Sequence, residues 1–448
     1  MIKRIINVDF SRTAGKIKPV NGALSGPKTG VRLQRDFTDE YRALAIPTVR
    51  VHNVEFPYGS GQYLDMHCIF PDPYADENNE ASYNFAPTDA YLLAIREAGA
   101  DIFLRIGEST DPFEYKRYIS APTDPEKWAR VAEHIIAHYN EGWALGYKWR
   151  IKYVELWSGA DDPSGFSGTA EDYYLLYSTV AKHLKARFPG IKVGAYSSGG
   201  FYSLNHFNAA ETQRSYVSFM QKFFSLLTRK GECTPLDFFS WQCYAETPEE
   251  LSLHANYAKA LLSQFGLKRT QSIVSEFNLA SARRGEAHLS REYPSELCAS
   301  LIIAQKSGID MMFYSSLDPV RDECAVFSLD DRRTKRYYSA YQVMLAFGKV
   351  ASLKTAVDIS EDYRRELYAL ASASADEGAV LLVSRNFKGV VDLNIGGSEF
   401  TRYSVKGILG GGERGAGFST EERDLPLSAN TVTLRLGSCE VYLITLTK

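Results

Sequence analysis

The sequence predicts an α/β protein, a (β/α)8 barrel joined to a small β-sandwich. Short β-rich runs alternate with longer amphipathic segments from Val20 to Phe347, which is the pattern of parallel β/α units. This stretch holds eight strand candidates, which fits the barrel, whereas an open doubly wound sheet usually has fewer. After Val350 the helical pattern stops, and alternating strand candidates continue between Gly-rich turns.

The barrel prediction rests on strands and helices that follow one another in strict order. The segments between the strands carry apolar residues at i, i+3, i+4 and i+7, as amphipathic helices do. Thr88, Thr169 and Thr247 precede three of these segments and are predicted N-caps. The strand candidates are VNGALSG, IPTVRVH, ADIFLRIG, IKYVELW, IKVGAYS, LDFFSWQCY, QSIVSEFN and IDMMFYS.

A chain of 448 residues is long enough for one large domain and one smaller domain. We predict that residues 18–349 form the barrel, which would be the catalytic domain, and that residues 350–448 form the sandwich. Residues 1–17 contain the strand KRIINVDF, which has no helix of its own and is therefore assigned to the sandwich. GILGGGERGAGFS is predicted to be a flexible loop, because it is not a strand-to-helix turn that could cradle phosphate.

Composition excludes several kinds of partner. There are 51 basic and 54 acidic residues, a net charge of −3, and no Lys/Arg run that would suit a nucleic acid. The N-terminus lacks an apolar leader core, and no apolar run reaches the roughly 18 residues of a membrane span. We therefore expect a cytoplasmic protein without a membrane partner, and leave the formation of homo-oligomers open.

The cysteines give no sign of a metal centre. They are scattered without C-x-x-C spacing, so we expect neither a zinc site nor a disulfide framework. Reduced and mostly buried thiols are the simplest interpretation. The six cysteines are Cys68, Cys233, Cys243, Cys298, Cys324 and Cys439.

In a (β/α)8 barrel the chemistry lies at the carboxyl ends of the strands. Glu276 stands at the end of the seventh strand, where a buried carboxylate is costly unless it has a role. A glutamate that caps a helix or tethers a loop is the equally weighted alternative. Gln242 and Tyr244 end the sixth strand, and a tyrosine hydroxyl there can orient a carboxylate and hold it ionised, although it could also be a packing residue.

Further polar residues end the neighbouring strands. Strand alternation puts Arg50 and His52 on one face of the second strand, where the arginine can fix the charge of a carboxylate or belong to a structural ion pair. Asn53 follows them, and Glu108 ends the third strand. Tyr314 and Asp318 follow the eighth strand. We expect all of these residues at one rim.

Several motifs occur in a fixed order along the whole chain. They are Val20-Asn21-Gly22 with Gly26-Pro27, Val49-Arg50-Val51-His52, Tyr153-Val154-Glu155-Leu156-Trp157, Phe166-Ser167-Gly168-Thr169 before Tyr173, Asp237-Phe238 with Tyr244, and Val274-Ser275-Glu276-Phe277-Asn278. Their order resembles glycoside hydrolase family 39 and its clan A relatives. The resemblance implies a retaining glycosidase that acts on a carbohydrate without a cofactor, as β-xylosidases and relatives acting on arabinofuranosides and uronides do. It also implies that Glu276 is the nucleophile.

The same comparison exposes a departure at the end of the fourth strand. Members of the family read Trp-Asn-Glu-Pro there, and the glutamate is the acid/base. This chain reads Trp157-Ser158-Gly159-Ala160, followed by Asp161 and Asp162. Gln242 also stands where the family has a histidine. Glu155 matches a different glutamate within the family's strand and is expected deeper in the barrel.

Three explanations of the missing glutamate stay open. Another carboxylate could deliver the proton: Asp161, Asp162 or Glu108. The substrate could carry a leaving group that needs no general acid. A general acid contributes ~10²–10⁴ in rate, so its loss would then matter less. Finally, the protein could be a catalytically inactive carbohydrate-binding barrel.

We favour an active glycosidase, because Arg50, His52 and Tyr244 keep the family's form. This retained polar rim also argues against a protein-interaction scaffold. Trp157 and Ser158 are then expected to contact the sugar.

Overall fold

Eight parallel strands form a closed barrel in the computed structural model, which describes residues 2–30, 32–52, 63–109, 118–283, 290–317, 326–329, 335–360, 365–409 and 418–448. Each strand pairs with the next one along the chain, and the eighth pairs with the first. All eight predicted strands are confirmed. They are Gly22–Leu24, Thr48–Arg50, Asp101–Ile106, Tyr153–Leu156, Lys192–Ser198, Phe238–Ala245, Gln271–Leu279 and Met311–Tyr314, called barrel strands 1 to 8 below.

Helices surround the barrel where the sequence predicts them. Thr169 caps its helix through a reciprocal pair of hydrogen bonds with Asp172, and Thr247 occupies the N-cap position of its own helix. The prediction for Thr88 is wrong, because Pro87 lets that helix begin at Ala86. The helices are Thr38–Ala43, Met66–Ile69, Ala86–Glu97, Pro125–Asn140, Ala170–Arg187, Glu211–Leu227, Pro248–Gln264, Ala280–Arg283, Tyr293–Lys306 and Ser339–Ser352. Within the described part of the chain, none is long and apolar enough to cross a membrane.

The second layer of the fold is a mixed sheet of nine strands with one shared apolar core. The N-terminal strand Ile2–Lys16 lies inside this sheet, as predicted, between Thr355–Ser360 and Gly389–Gly396. Alternate residues of most strands face the shared core, so the curved sheet forms the sandwich. Its strand order is Phe418–Pro426, Arg402–Leu409, Glu440–Thr447, Glu377–Ser384, Leu367–Ala373, Thr355–Ser360, Ile2–Lys16, Gly389–Gly396 and Thr431–Leu436.

Three strands of this sheet were not predicted: Thr355–Ser360, Arg402–Leu409 and Phe418–Pro426. The expected loop GILGGGERGAGFS is corrected in part, since residues 407–409 end one of these strands and Phe418 begins another. A glycine and charged residues interrupt the apolar alternation in Arg402–Leu409, and charged residues interrupt it in Phe418–Pro426, so neither strand stood out in the sequence. Residues 410–417, between them, lie outside the described chain.

The barrel interior is closed at its N-terminal end by large apolar side chains. These residues lie on barrel strands 3, 6, 7 and 8 and form a cluster of their own. The polar end of the barrel is therefore the opposite one, at the carboxyl ends of the strands. The cluster consists of Phe103, Phe238, Ile273, Met311 and Phe313.

An ion cluster joins the sandwich to the barrel. Arg385, at the end of a sandwich strand, donates to both oxygens of Glu249 at 2.8 Å and to Glu296 at 3.2 Å. Tyr368 donates to the same Glu249. Both carboxylates lie on helices of the barrel, so these contacts fix the sandwich against that side.

Candidate active site

Glu276 points into the barrel because barrel strand 7 contains a β-bulge. Val274 pairs with Trp241 but Glu276 pairs with Gln242, so strand 7 has one extra residue at Ser275. Ile273 faces the barrel interior, and simple alternation would therefore turn Glu276 outward. The extra residue reverses the alternation, and the carboxylate of Glu276 faces inward with 8% of the residue exposed.

Side chains from barrel strands 2 and 6 contact the Glu276 carboxylate in the described part of the chain. Tyr244 donates to Oε2 at 3.1 Å, while Arg50 and Gln242 donate to Oε1 at 3.4 Å each. Nε2 of His52 lies 3.7 Å from Oε1. These contacts hold the side chain in one orientation and favour a negative charge on it. The residues predicted at the ends of strands 2, 6 and 7 thus meet at one carboxylate.

Beneath this group lies a buried ion pair that fixes Arg50. The guanidinium donates to Oε2 of Glu155 through Nε at 2.9 Å and through a terminal nitrogen at 2.6 Å. Ser240 donates to the other oxygen of Glu155 at 2.6 Å, and Ser158 accepts from Arg50 at 3.1 Å. Arg50 and Glu155 are both fully buried. Glu155 therefore positions Arg50 and does not face the cavity.

A polar cavity of about 290 Å³ opens above Glu276. The predicted residues His52, Ser158, Gln242 and Tyr244 line it. Sequence reasoning missed the rest of the wall, although Gly199-Gly200 directly after strand 5 was a signal, because a strand end is where a site is expected. The missed residues are Ser164, Gly165, Gly199, Tyr202, Gln213 and Tyr216.

The segment after barrel strand 4 forms one wall of this cavity. Gly159 has a φ of +64°, and a Cβ atom added there would meet only Cβ of Asp162, at 3.9 Å. Its N–H donates to the carbonyl of Tyr196 at 2.7 Å. Among the described residues, open space therefore remains beside Gly159.

The two aspartates of this segment face different surroundings. Asp162 lines the cavity; its Oδ1 accepts from N and Oγ of Ser164 at 2.8 and 2.7 Å, and its Oδ2 accepts from Tyr216 at 2.9 Å. Asp161 is buried away from the cavity wall, where it accepts from Ser198 at 2.5 Å and from the N–H of Gly199 at 3.1 Å. Only Asp162 shares the cavity with Glu276.

Burial raises the pKa of Asp161 to about 7, against the hydrogen bonds from Ser198 and Gly199. Between the usual aspartate range and pH 7 the folded protein thus binds a proton that the unfolded chain has released, so stability falls as pH rises through this window. We expect Asp161→Asn to remove that fall. Urea denaturation of both proteins at pH 4.5, 6 and 7.5 measures it, and identical pH profiles would contradict the assignment.

Other predicted residues lie beside the cavity. Trp157 and Glu108 line a second cavity next to it. Burial raises the pKa of Glu108 to about 7, against the hydrogen bond from His67. Tyr314 is buried with its hydroxyl 2.7 Å from that of Tyr293, and is not among the described lining residues of the polar cavity. Asn53 and Asp318 lie outside the described chain.

The structure offers a poor metal site. Among the described residues, Asp65, His67 and Glu108 bring ligand atoms within 4.8 Å of one another. However, Asp65 is already paired with Arg105 at 2.8 Å, and Nδ1 of His67 contacts Glu108 directly at 2.5 Å. These residues satisfy one another, so they do not fit a resident cation. Five of the six cysteines are free, and Cys324 lies outside the described chain.

A closed (β/α)8 barrel with a sandwich, and a glutamate held at the end of strand 7 in a polar cavity, defines a glycoside hydrolase of clan A. The chain belongs to glycosyl hydrolases family 39, whose sequence pattern matches residues 4–290. The resemblance read from the motifs is thereby confirmed.

Solved structures of glycosidases share the complete fold. A glucosidase from Croceicoccus marinus is 21% identical with a TM-score of 0.79, and the match covers 100% of both chains. A monomeric β-xylosidase from Caulobacter crescentus is 13% identical with a TM-score of 0.71 and 99% coverage of each chain. An α-L-arabinofuranosidase from Thermotoga maritima is 12% identical with a TM-score of 0.68 and 99% coverage of each chain. No curated protein matches the chain by sequence.

Proposed function

We propose that the protein is a retaining glycosidase whose nucleophile is Glu276. The observation that carries the proposal is the position of this carboxylate in the polar cavity, oriented by Tyr244, Arg50 and Gln242. A retaining enzyme forms a covalent glycosyl ester on such a carboxylate and then hydrolyses it. The similar solved structures are those of a glucosidase, a β-xylosidase and an α-L-arabinofuranosidase, so glucosides, xylosides and arabinofuranosides are the first substrates to try.

Asp162 is the proposed second carboxylate. It lines the same cavity, whereas Asp161 and Glu108 face other surroundings. Its donors Ser164 and Tyr216 hold it as a hydrogen-bond acceptor, which suits a base that receives a proton from water. It comes three residues after Gly159, so the loop returns a carboxylate towards the open space that the glycine leaves.

The reaction proceeds in two displacements at the anomeric carbon. An oxygen of Glu276 attacks that carbon, the glycosidic C–O bond breaks, and its electron pair leaves with the aglycone oxygen, which takes a proton from Asp162 when the leaving group is poor and from solvent when it is a stable anion. Water then attacks the same carbon and releases Glu276 as a carboxylate. The proton of this water goes to Asp162, which passes it to the next aglycone or to solvent. Each displacement inverts the carbon, so the product keeps the starting configuration.

Replacing Asp162 with asparagine tests its role. We expect kcat for glycosides with poor leaving groups to fall roughly 100-fold, with a smaller effect on kcat/KM for 4-nitrophenyl glycosides, whose first step needs no proton. Azide should accelerate release of the intermediate in this variant and give a glycosyl azide of retained configuration. Asp161→Asn is the matched control, because Asp161 is the neighbouring aspartate and its carboxylate does not line the cavity. Equal losses for both substrate types would show that Asp162 only positions the sugar.

Carbohydrate binding without turnover is the second candidate function, and Gly159 is the observation that favours it. If the protein only binds carbohydrate, 4-nitrophenyl glucosides, xylosides and arabinofuranosides should not be hydrolysed, with or without azide. Calorimetry should nevertheless detect binding of a free sugar. Release of 4-nitrophenol that depends on Glu276 would exclude it.

A further inference from the structure

A second cavity, of about 310 Å³, lies beside the polar one, and its walls are mostly apolar and aromatic. It lies among the ends of barrel strands 3 and 4, the helix Met66–Ile69 and the start of the helix Pro125–Asn140. Its rings come from His67, Phe70, Tyr118, Trp128 and Trp157. The residues assigned to the chemistry above, Glu276 and Asp162, are not among its described lining residues.

His67, Tyr118 and Trp128 keep part of their surface exposed, whereas Trp157 is 1% exposed. His67 and Tyr118 are stacked, with ring centres 3.7 Å apart and planes within 3°. Trp128 and Trp157 lie with centroids 6.4 Å apart and planes inclined by 32°. Tyr118 still exposes 39% of its surface, although one of its faces is covered by His67. Such walls complement a planar aromatic ring better than a hydroxylated sugar alone.

The position of the cavity matches the direction in which a leaving group departs. The two cavities meet at the end of barrel strand 4. Trp157 lines the aromatic cavity, and the next two residues, Ser158 and Gly159, line the polar cavity. Glu276 is on barrel strand 7, and strands 5 and 6 lie between it and strand 4. Because nucleophile and leaving group occupy opposite faces of the anomeric carbon, the aglycone leaves away from Glu276. Strand 4 stands three strands away from strand 7 in the closed ring of eight, close to the opposite side of the barrel, so the aromatic cavity lies on the side away from Glu276.

We propose that the aromatic cavity binds an aromatic aglycone, so that the substrates of this enzyme are aryl glycosides. This inference rests on the proposed function. A phenolate delocalises its charge into the ring, so the glycosidic C–O bond breaks with the electron pair on the phenolate oxygen, which takes its proton from solvent. Glu276 forms the glycosyl ester in this step, and one water is consumed when the ester is hydrolysed. A glycine at position 159 is compatible with such a substrate, because departure of the aglycone requires no acid.

Binding of non-hydrolysable ligands tests the cavity independently of turnover. The probes are phenyl and methyl 1-thioglycosides of glucose, xylose and arabinose, measured by calorimetry. For the sugar that binds, we expect the phenyl compound to bind about tenfold tighter than the methyl compound. Tyr118→Ala should reduce this ratio to near one and leave the affinity for the methyl compound unchanged. Equal affinities for both probes in the wild-type protein would overturn the proposal.

Two further variants separate ligand binding from folding. Thr123→Trp places a large side chain in the aromatic cavity from an exposed position and should also abolish the phenyl preference. Tyr74→Ala is the matched control, because Tyr74 is 92% exposed and does not line the cavity, and it should keep the full ratio. A phenyl preference that survives both Tyr118→Ala and Thr123→Trp would place the aryl group elsewhere. Glu276→Gln should keep the preference while losing turnover, so failure of the aglycone site is distinguishable from failure of the proposed chemistry.

Discussion

Glu276→Gln is expected to reduce kcat for every hydrolysed glycoside by at least about 1000-fold, in the range of losses seen when a nucleophile is removed. The amide cannot form the glycosyl ester, yet it keeps the size of the side chain and can accept from Tyr244. The thermal transition should therefore stay close to that of the wild-type protein. Release of 4-nitrophenol under saturating substrate measures the effect.

A matched control and a covalent label make this test specific. Glu246→Gln changes an exposed glutamate directly after barrel strand 6 and should leave turnover near the wild-type rate. A 2-fluoro glycoside slows the second step and should label Glu276, as peptide mass spectrometry can show. A label on Glu108 or Asp162, or an unchanged kcat in Glu276→Gln, would reassign the nucleophile.

Arg50→Met is expected to lower the free energy of unfolding by about 3–5 kcal/mol, because it leaves a buried carboxylate without its charge partner. Glu155 would lose two hydrogen bonds and Glu276 would lose one, while no solvent reaches Glu155. Turnover should also fall, since the orientation of the nucleophile depends on this arginine. Urea denaturation at pH 7 measures the stability.

A compensating variant distinguishes loss of charge pairing from loss of packing. Arg50→Met combined with Glu155→Met replaces the ion pair by apolar side chains, and such replacements often restore stability. The double variant should thus be more stable than Arg50→Met alone, yet remain poorly active. Arg214→Met, at an exposed arginine of helix Glu211–Leu227, is the control and should change stability by less than about 0.5 kcal/mol. An equally unstable double variant would contradict the charge-pair explanation.

The barrel could be predicted because its signals are local. Each strand is a short apolar run and each helix carries a 3.6-residue period, so strands such as Asp101–Ile106 stand out in the sequence. The strands Arg402–Leu409 and Phe418–Pro426 could not be found in this way, because charged residues in both strands, and a glycine in the first, dilute their pattern. Pairing with neighbours in a large sheet stabilises them, and that information is not local.

The site was predictable only in part, for a similar reason. Arg50, Gln242 and Tyr244 follow from strand ends and alternation, and the structure brings all three to Glu276. The inward turn of Glu276 depends on a bulge that no residue pattern announces. Tyr216 reaches the cavity from a helix far along the chain, so only the three-dimensional fold reveals it.

The backbone at Gly159 bears on how this chain could evolve. A left-handed φ of +64° suits glycine, whereas a glutamate in that region carries a strain of roughly 1–2 kcal/mol. A Cβ atom at the neighbouring Gly165 would come within 2.7 Å of the carbonyl of Gly159, so this turn is also adapted to small residues. A glutamate at position 159 would therefore require the turn to be rebuilt together with its side chains. A single codon change can supply the carboxylate at this position, but it cannot supply a backbone that presents the side chain without strain.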